Sequence, residues 1–188
     1  MAMQGGGIYG ASGSVVALTN DSGVINNTAS MHGGGARVWG TLVGMETLSD
    51  VDYNCAPHGG GVSLSEGTLT LEGSDARGNE AAAPDGKGGG IHAEDGSSIL
   101  LSSNAWVYES RAYDGAGVYL DASTLNLEDG VLGKNAASHY GGGAYLTNGS
   151  TLIGGASAFI GRAGYPNTAR YGGGLYVENS VVDCCGTV

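Results

Sequence analysis

Four aspartates recur along this chain close to one repeat apart or two: Asp21, Asp50, Asp75 and Asp129, with Asn104 standing between the last two. Carboxylates and carbonyls set one above another at turns are the donors that hold calcium. Aspartate and asparagine also suit tight turns and solvate a surface, which needs no ion. The expectation is therefore no cofactor, with calcium as the alternative. A second series combines Tyr9, Tyr119, Tyr145 and Tyr176 with His92 in line. Rings in an outward row can stack on sugars or pack a partner protein; tyrosine also favours strands for its shape alone. His32 and His58 share a register, but Lys87, Asp114, Tyr140 and Tyr171 fill that slot elsewhere and His139 falls beside it, so no metal ladder is expected. Carbohydrate cleavage would draw on Arg37 with Asp50 and Asp52, or on Arg111 with Asp114. A glycoside hydrolase needs two carboxyls about 5–9 Å apart across a groove. The turns are short, the longest insert being 161–171, so no catalytic residue is assigned.

Asn27, Asn54, Asn79 and Asn135 fall at matching places and are read as structural. Stacked asparagines can bond their amides along a column and satisfy turn backbone. The sequences NDS at 20–22, NNT at 26–28 and NGS at 148–150 are glycosylation acceptors if the chain is secreted through such a pathway. Cys55, Cys184 and Cys185 match neither a zinc pattern nor a dense disulfide framework. Whether they pair is open.

The elements that position these residues follow from a repeat. The 188 residues contain 38 glycines but only three prolines and one phenylalanine, which excludes collagen. A glycine signature begins near residues 5, 33, 59, 88, 115, 141 and 172. Between these starts lie two further signatures, one such as GTLTLEG and one such as ARGNEA. Each alternates apolar and polar residues over about four positions, the period of a half-buried strand. No window supports a helix. A unit of 26–31 residues cannot bury its own apolar face. Stacked units can, because equivalent strands then pair in parallel about 4.8 Å apart. The fold expected is all-β: one right-handed parallel β-helix over 1–188, with three short strands per coil and six to seven coils. Glycine triplets then mark bends where a side chain would meet its neighbour coil. Ala116 replaces the middle glycine of the fifth unit, so that site must accept a β-carbon. A propeller would want a longer period.

Four of these units carry a more specific pattern: Val24–Asn27–Ala29, Val51–Asn54–Ala56, Ala76–Asn79–Ala81 and Leu132–Asn135–Ala137, each followed by a glycine run and an aliphatic residue. The pattern resembles the paired motifs of chlamydial polymorphic outer membrane proteins. More broadly it is similar to autotransporter passenger domains and pectate-lyase-like β-helical surface proteins. In the fourth unit Ser110 takes the asparagine place, and in the sixth Arg162 does. The resemblance implies a secreted or cell-surface stalk, often adhesive.

The charge of −11, from 18 acids against 7 bases, disfavours nucleic acid and anionic membrane as partners. No apolar run is long enough to insert in a bilayer, and no secretory peptide is visible at the start. The chain opens almost on a glycine signature and stops mid-unit, so a segment of a longer repetitive protein is expected, with coil ends that meet flanking repeats or other copies. The function expected is an extracellular or cell-surface structural and adhesive module, with end-to-end assembly open to it. Surface glycans or proteins of a host or neighbouring cell are the other candidate partners. The alternative is a carbohydrate-binding or polysaccharide-degrading protein, which would show a carboxylate cluster on one face.

Overall fold

A computed structural model describes residues 1–19, 21–44 and 49–184, with the side chains of Val43 and Gly44 left aside. Asn20 of the first glycosylation sequence and Cys185 lie outside the described residues. The chain is a parallel β-solenoid of about seven turns, and the described residues contain no helix. None is therefore long and apolar enough to cross a membrane.

The third coil shows the plan. Val62–Ser65 carries the glycine signature's strand and Thr68–Glu72 the second signature. The third signature divides at its asparagine into Asp75–Arg77 and Glu80–Ala81. Strand residues pair with their counterparts one coil away: Leu69 with Leu42 and Ile99, Ala76 with Val51 and Val107. In the first two coils the first two strands run on as one, Ile8–Leu18 and Ala36–Gly44, which joins two faces into a single 12-stranded sheet.

Alternation places one set of side chains inside. Leu42, Leu69, Ile99, Leu125 and Leu152 form one buried row; Val51, Ala76, Val107 and Leu132 form another. Large and small residues offset each other within a coil. Ile91 stands with Ala93, and Ala144 with Leu146, all fully buried. A narrow interior filled to constant volume disfavours a Phe, and Phe159 is indeed 43% exposed.

Two polar ladders run through this interior. Oδ1 of Asn54 accepts from the backbone and side-chain amides of Asn27 at 2.8 and 3.1 Å. Oδ1 of Asn79 does the same for Asn54 at 2.9 and 3.1 Å. Nδ2 of Asn54 donates to Val24 O, and Nδ2 of Asn79 to Val51 O. Ser110 breaks the series, as its short hydroxyl reaches only its own Tyr108 carbonyl. The ladder resumes at Asn135, which accepts the Ser110 amide at 3.0 Å. The sixth unit differs from the sequence reading. Asn167, not Arg162, takes the ladder place, accepting from Asn135 at 3.0 and 3.2 Å. The intervening residues form a small turn in which Arg162 bridges Tyr165, and the asparagine is displaced five positions along the chain. The second ladder is of serines at the bend between the first two strands: Ser97, Ser150 and Ser180 accept the amides of Gly67, Ser123 and Ser150 at 3.1 Å each.

The glycine bends lie where coils approach most closely. Gly59 has φ +62°, which only glycine adopts cheaply. Ala116, 0% exposed, shows that the middle position of the fifth bend does hold a methyl.

Candidate functional site

The glycine bend separates two outward rows and lets them touch. One row is Tyr9, Arg37, Ser63, His92, Tyr119, Tyr145 and Tyr176, paired rung by rung. The other is the slot just before the glycines: His32, His58, Lys87, Asp114, Tyr140 and Tyr171. Both registers are as the repeat predicts. Exposure is not what an outward stripe implies. Tyr9 is 53% exposed, but His92, Tyr119 and Tyr145 are buried because the second row covers them. The His92 ring lies 5.6 Å from His58 and stacks on Tyr119 at 5.3 Å. Lys87 Nζ sits 4.9 Å over the Tyr119 ring, and Tyr140 stacks on Tyr176 at 4.1 Å. The Tyr145 hydroxyl donates to Glu178 at 2.7 Å, and burial followed by that bond pushes its pKa up.

The lower part of this corner gathers titratable groups. Ser63 is small, and its rung leaves space that long neighbours fill from both sides. Arg37, from one coil, donates to Ser63 Oγ at 2.5 Å and pairs with Glu94 at 2.9 Å. His92 leans in from the other side, and His32 approaches it with ring centres 6.4 Å apart although their rungs are two coils apart. Donor atoms of His32, His92 and Glu94 lie within 4.8 Å of one another. Nδ1 of His32, His58 and His92 is buried without a hydrogen-bond partner. Burial lowers the pKa of His32 and His58, and that of His92 furthest, with Arg37 adding to the effect on all three. The folded state thus holds neutral imidazoles. Their contribution to stability is present above the ordinary value of 6.5 and lost as pH falls below it. Sequence reasoning kept His32 and His58 apart from His92 and did not single out Glu94; the alternation along Ile91–Glu94 puts both His92 and Glu94 on the outward side and was the available signal.

The acidic row divides differently from expectation. Asp50 and Asp75 pair in register, facing outward from the six-stranded sheet. Asp21 and Asp129 each lie two residues before the rung, which Gly23 and Val131 occupy. Asp129 instead accepts the Asn104 amide in the preceding turn at 3.3 Å. Asp52, one step along the same face, joins Asp50 and Asp75, with Arg77, Trp106 and Tyr108 on the next rungs. Arg162 lies 4.4 Å over the Trp106 ring and Tyr165 stands edge-on to it at 5.0 Å. Burial first, and the neighbouring aspartates after it, raise Asp52 and Asp75 to about 6 and raise Asp50 as well. Arg37 is bound to Ser63 and Glu94 on a different sheet from Asp50 and Asp52, so that proposed pair is not assembled. Arg111 is outward and exposed, while Asp114 turns toward His139 at 3.5 Å, so the second pair is not assembled either.

A pH test follows. A carboxyl raised from 3.8 to about 6 destabilises the fold when ionised. That cost is full above pH 6 and disappears as pH falls toward 3.8. Asp75→Asn keeps an oxygen for the Trp106 amide, which Asp75 accepts at 3.1 Å. Urea unfolding is expected to show a gain of about 1 kcal/mol at pH 7.5, after discounting for solvent screening, and none at pH 3.5.

Comparison with family models, curated proteins and solved structures returns no match to this chain. The site therefore rests on its own chemistry.

Proposed function

We propose that this chain is a structural and adhesive module of an extracellular or cell-surface β-solenoid. The observation that carries the reading is the long corner in which Tyr119, Tyr145, Tyr140, Tyr171 and Tyr176 pack as one ordered aromatic seam on a rigid coil stack. Tyr171, 47% exposed, with the partly exposed Tyr140 and Tyr176, held in order on the buried Tyr119 and Tyr145, gives a partner protein or glycan contact area at little entropic cost. The glycine–asparagine pattern, with its resemblance to chlamydial and autotransporter passenger repeats, supports a surface setting.

A second reading has its own support. Three carboxyls, two held near pKa 6, stand beside Trp106 and Tyr108 on one face, an arrangement suited to binding or cleaving a polysaccharide. The two readings are separated by a glycan array, light scattering over a concentration series and a product assay on acidic polysaccharides. The adhesive reading expects ligand retention that Tyr171→Ser weakens, particles that grow with concentration, and no cleavage products. A strict monomer that retains nothing contradicts it, and released oligosaccharides, lost in Asp52→Asn, favour the second.

A further inference from the structure

We propose that His32, His92 and Glu94 bind a divalent transition-metal ion of the zinc, copper or nickel class, with His58 beside it as a third imidazole. The inference is independent of adhesion or glycan binding and concerns the other half of the corner.

Two imidazoles and a carboxylate are a donor set for these ions and not for calcium or magnesium, which take oxygen ligands. The three donors come from turns two coils apart, yet lie within 4.8 Å of one another. Donors around one tetrahedral ion are roughly 3.4 Å apart with bonds of about 2.1 Å. Rotation of two side chains closes that difference, and Glu94 is 28% exposed, with room to turn once Arg37 lets it go. A ring nitrogen buried with no partner is costly. Here three neighbouring histidines each bury such a nitrogen, and His92, 4% exposed, cannot turn to water.

The charges facing the site set its behaviour. Arg37 holds Glu94 at 2.9 Å and must release it for the ion. It has a second seat, on the Trp39 ring 4.6 Å away and on Ser63. Lys87 and Arg37 disfavour a cation, while Asp85 and Glu94 favour it. Neutral imidazoles need lose no proton to bind. Affinity therefore holds at neutral pH and falls in acid, where protons compete for the same donors. Because His32 precedes the second glycine bend and His92 follows the fourth, the ion would tie three rungs of the stack together and stabilise it by mass action.

The test uses the whole chain, stripped with a chelator, titrated with zinc sulfate by calorimetry and with cobalt(II) by absorption. The expected result is one ion per chain and a melting temperature raised by roughly 5 °C at a hundredfold excess over Kd. Cobalt should give d–d bands without a thiolate charge-transfer band. Glu94→Gln, at a partly exposed position that leaves the fold intact, and His32→Gln should each weaken affinity at least tenfold. His139→Gln, in the upper corner, should leave it unchanged. A thiolate band, no stoichiometric binding, or equal affinity in all three variants would overturn the site.

Discussion

Replacing Asn79 by alanine is expected to cost about 4 kcal/mol of folding free energy. Asn79 is 1% exposed. Its Oδ1 accepts from the Asn54 backbone amide at 2.9 Å and from Asn54 Nδ2 at 3.1 Å, and its Nδ2 donates to Val51 O at 2.6 Å. Truncation strands two buried donors and a carbonyl that water cannot reach. Each costs about 1–3 kcal/mol, while a satisfied bond adds only about 1. The chain carries its own control. Ser110 lacks the reach to accept from the rung below, and the Asn79 amide has no side-chain acceptor there. Ser110→Asn is expected to complete the ladder and add about 1 kcal/mol. Urea denaturation of both variants checks the pair. Hydrogen exchange should localise the Asn79→Ala loss to the coils around Asn54. An Asn79→Ala protein as stable as the parent would show that the ladder is decorative.

Gly60→Ala is expected to destabilise the fold by about 3 kcal/mol or more. The strain is not conformational, since its backbone is not left-handed. A Cβ there would lie 2.4 Å from Glu80 O, 2.5 Å from its carbon and 2.6 Å from its nitrogen. All three are backbone atoms of the next coil, paired through Glu80 to Cys55 and Arg111, so relief requires parting rungs. Ala116 holds the equivalent place in the fifth coil without exposure, so Ala116→Gly should change stability by less than about 1 kcal/mol. Thermal melts of the two variants, made side by side, read the contrast. Equal and small effects would mean that the coils are looser than their spacing indicates.

The coil register was legible because the same residue types recur at the same step, and parallel stacking pairs like with like. Asn27, Asn54 and Asn79 meet as their spacing implies, and so do His92, Tyr119, Tyr145 and Tyr176. Asn167 was not legible, because the insert before it moves the asparagine away from its expected offset and puts Arg162 there. The burial of His92 and Tyr119 was not legible either. Alternation says which side of a sheet a residue leaves from, but not that the preceding slot folds over it. The histidine cluster hides for the same reason: His32 and His92 are 60 residues apart by numbering and meet only because Ser63 leaves the rung between them open. Asp52 was named with Asp50 but paired with Arg37; its place beside Asp75 was within reach, since Asp50–Asp52 alternates about the buried Val51. The serine ladder stood in plain view at the start of the second signature.

The central claim is that successive units stack in parallel and in register. Thr41, Thr68, Ser98, Thr124, Thr151 and Val181 form one outward row of paired neighbours. Nitroxide labels placed at Thr41 together with Thr124, Thr151 or Val181 read it directly by pulsed electron resonance. The account predicts separations of about 14, 19 and 24 Å, rising by one strand spacing of about 4.8 Å per coil. A series that fails to rise by equal steps, or in which Val181 lies closer to Thr41 than Thr124 does, would contradict it.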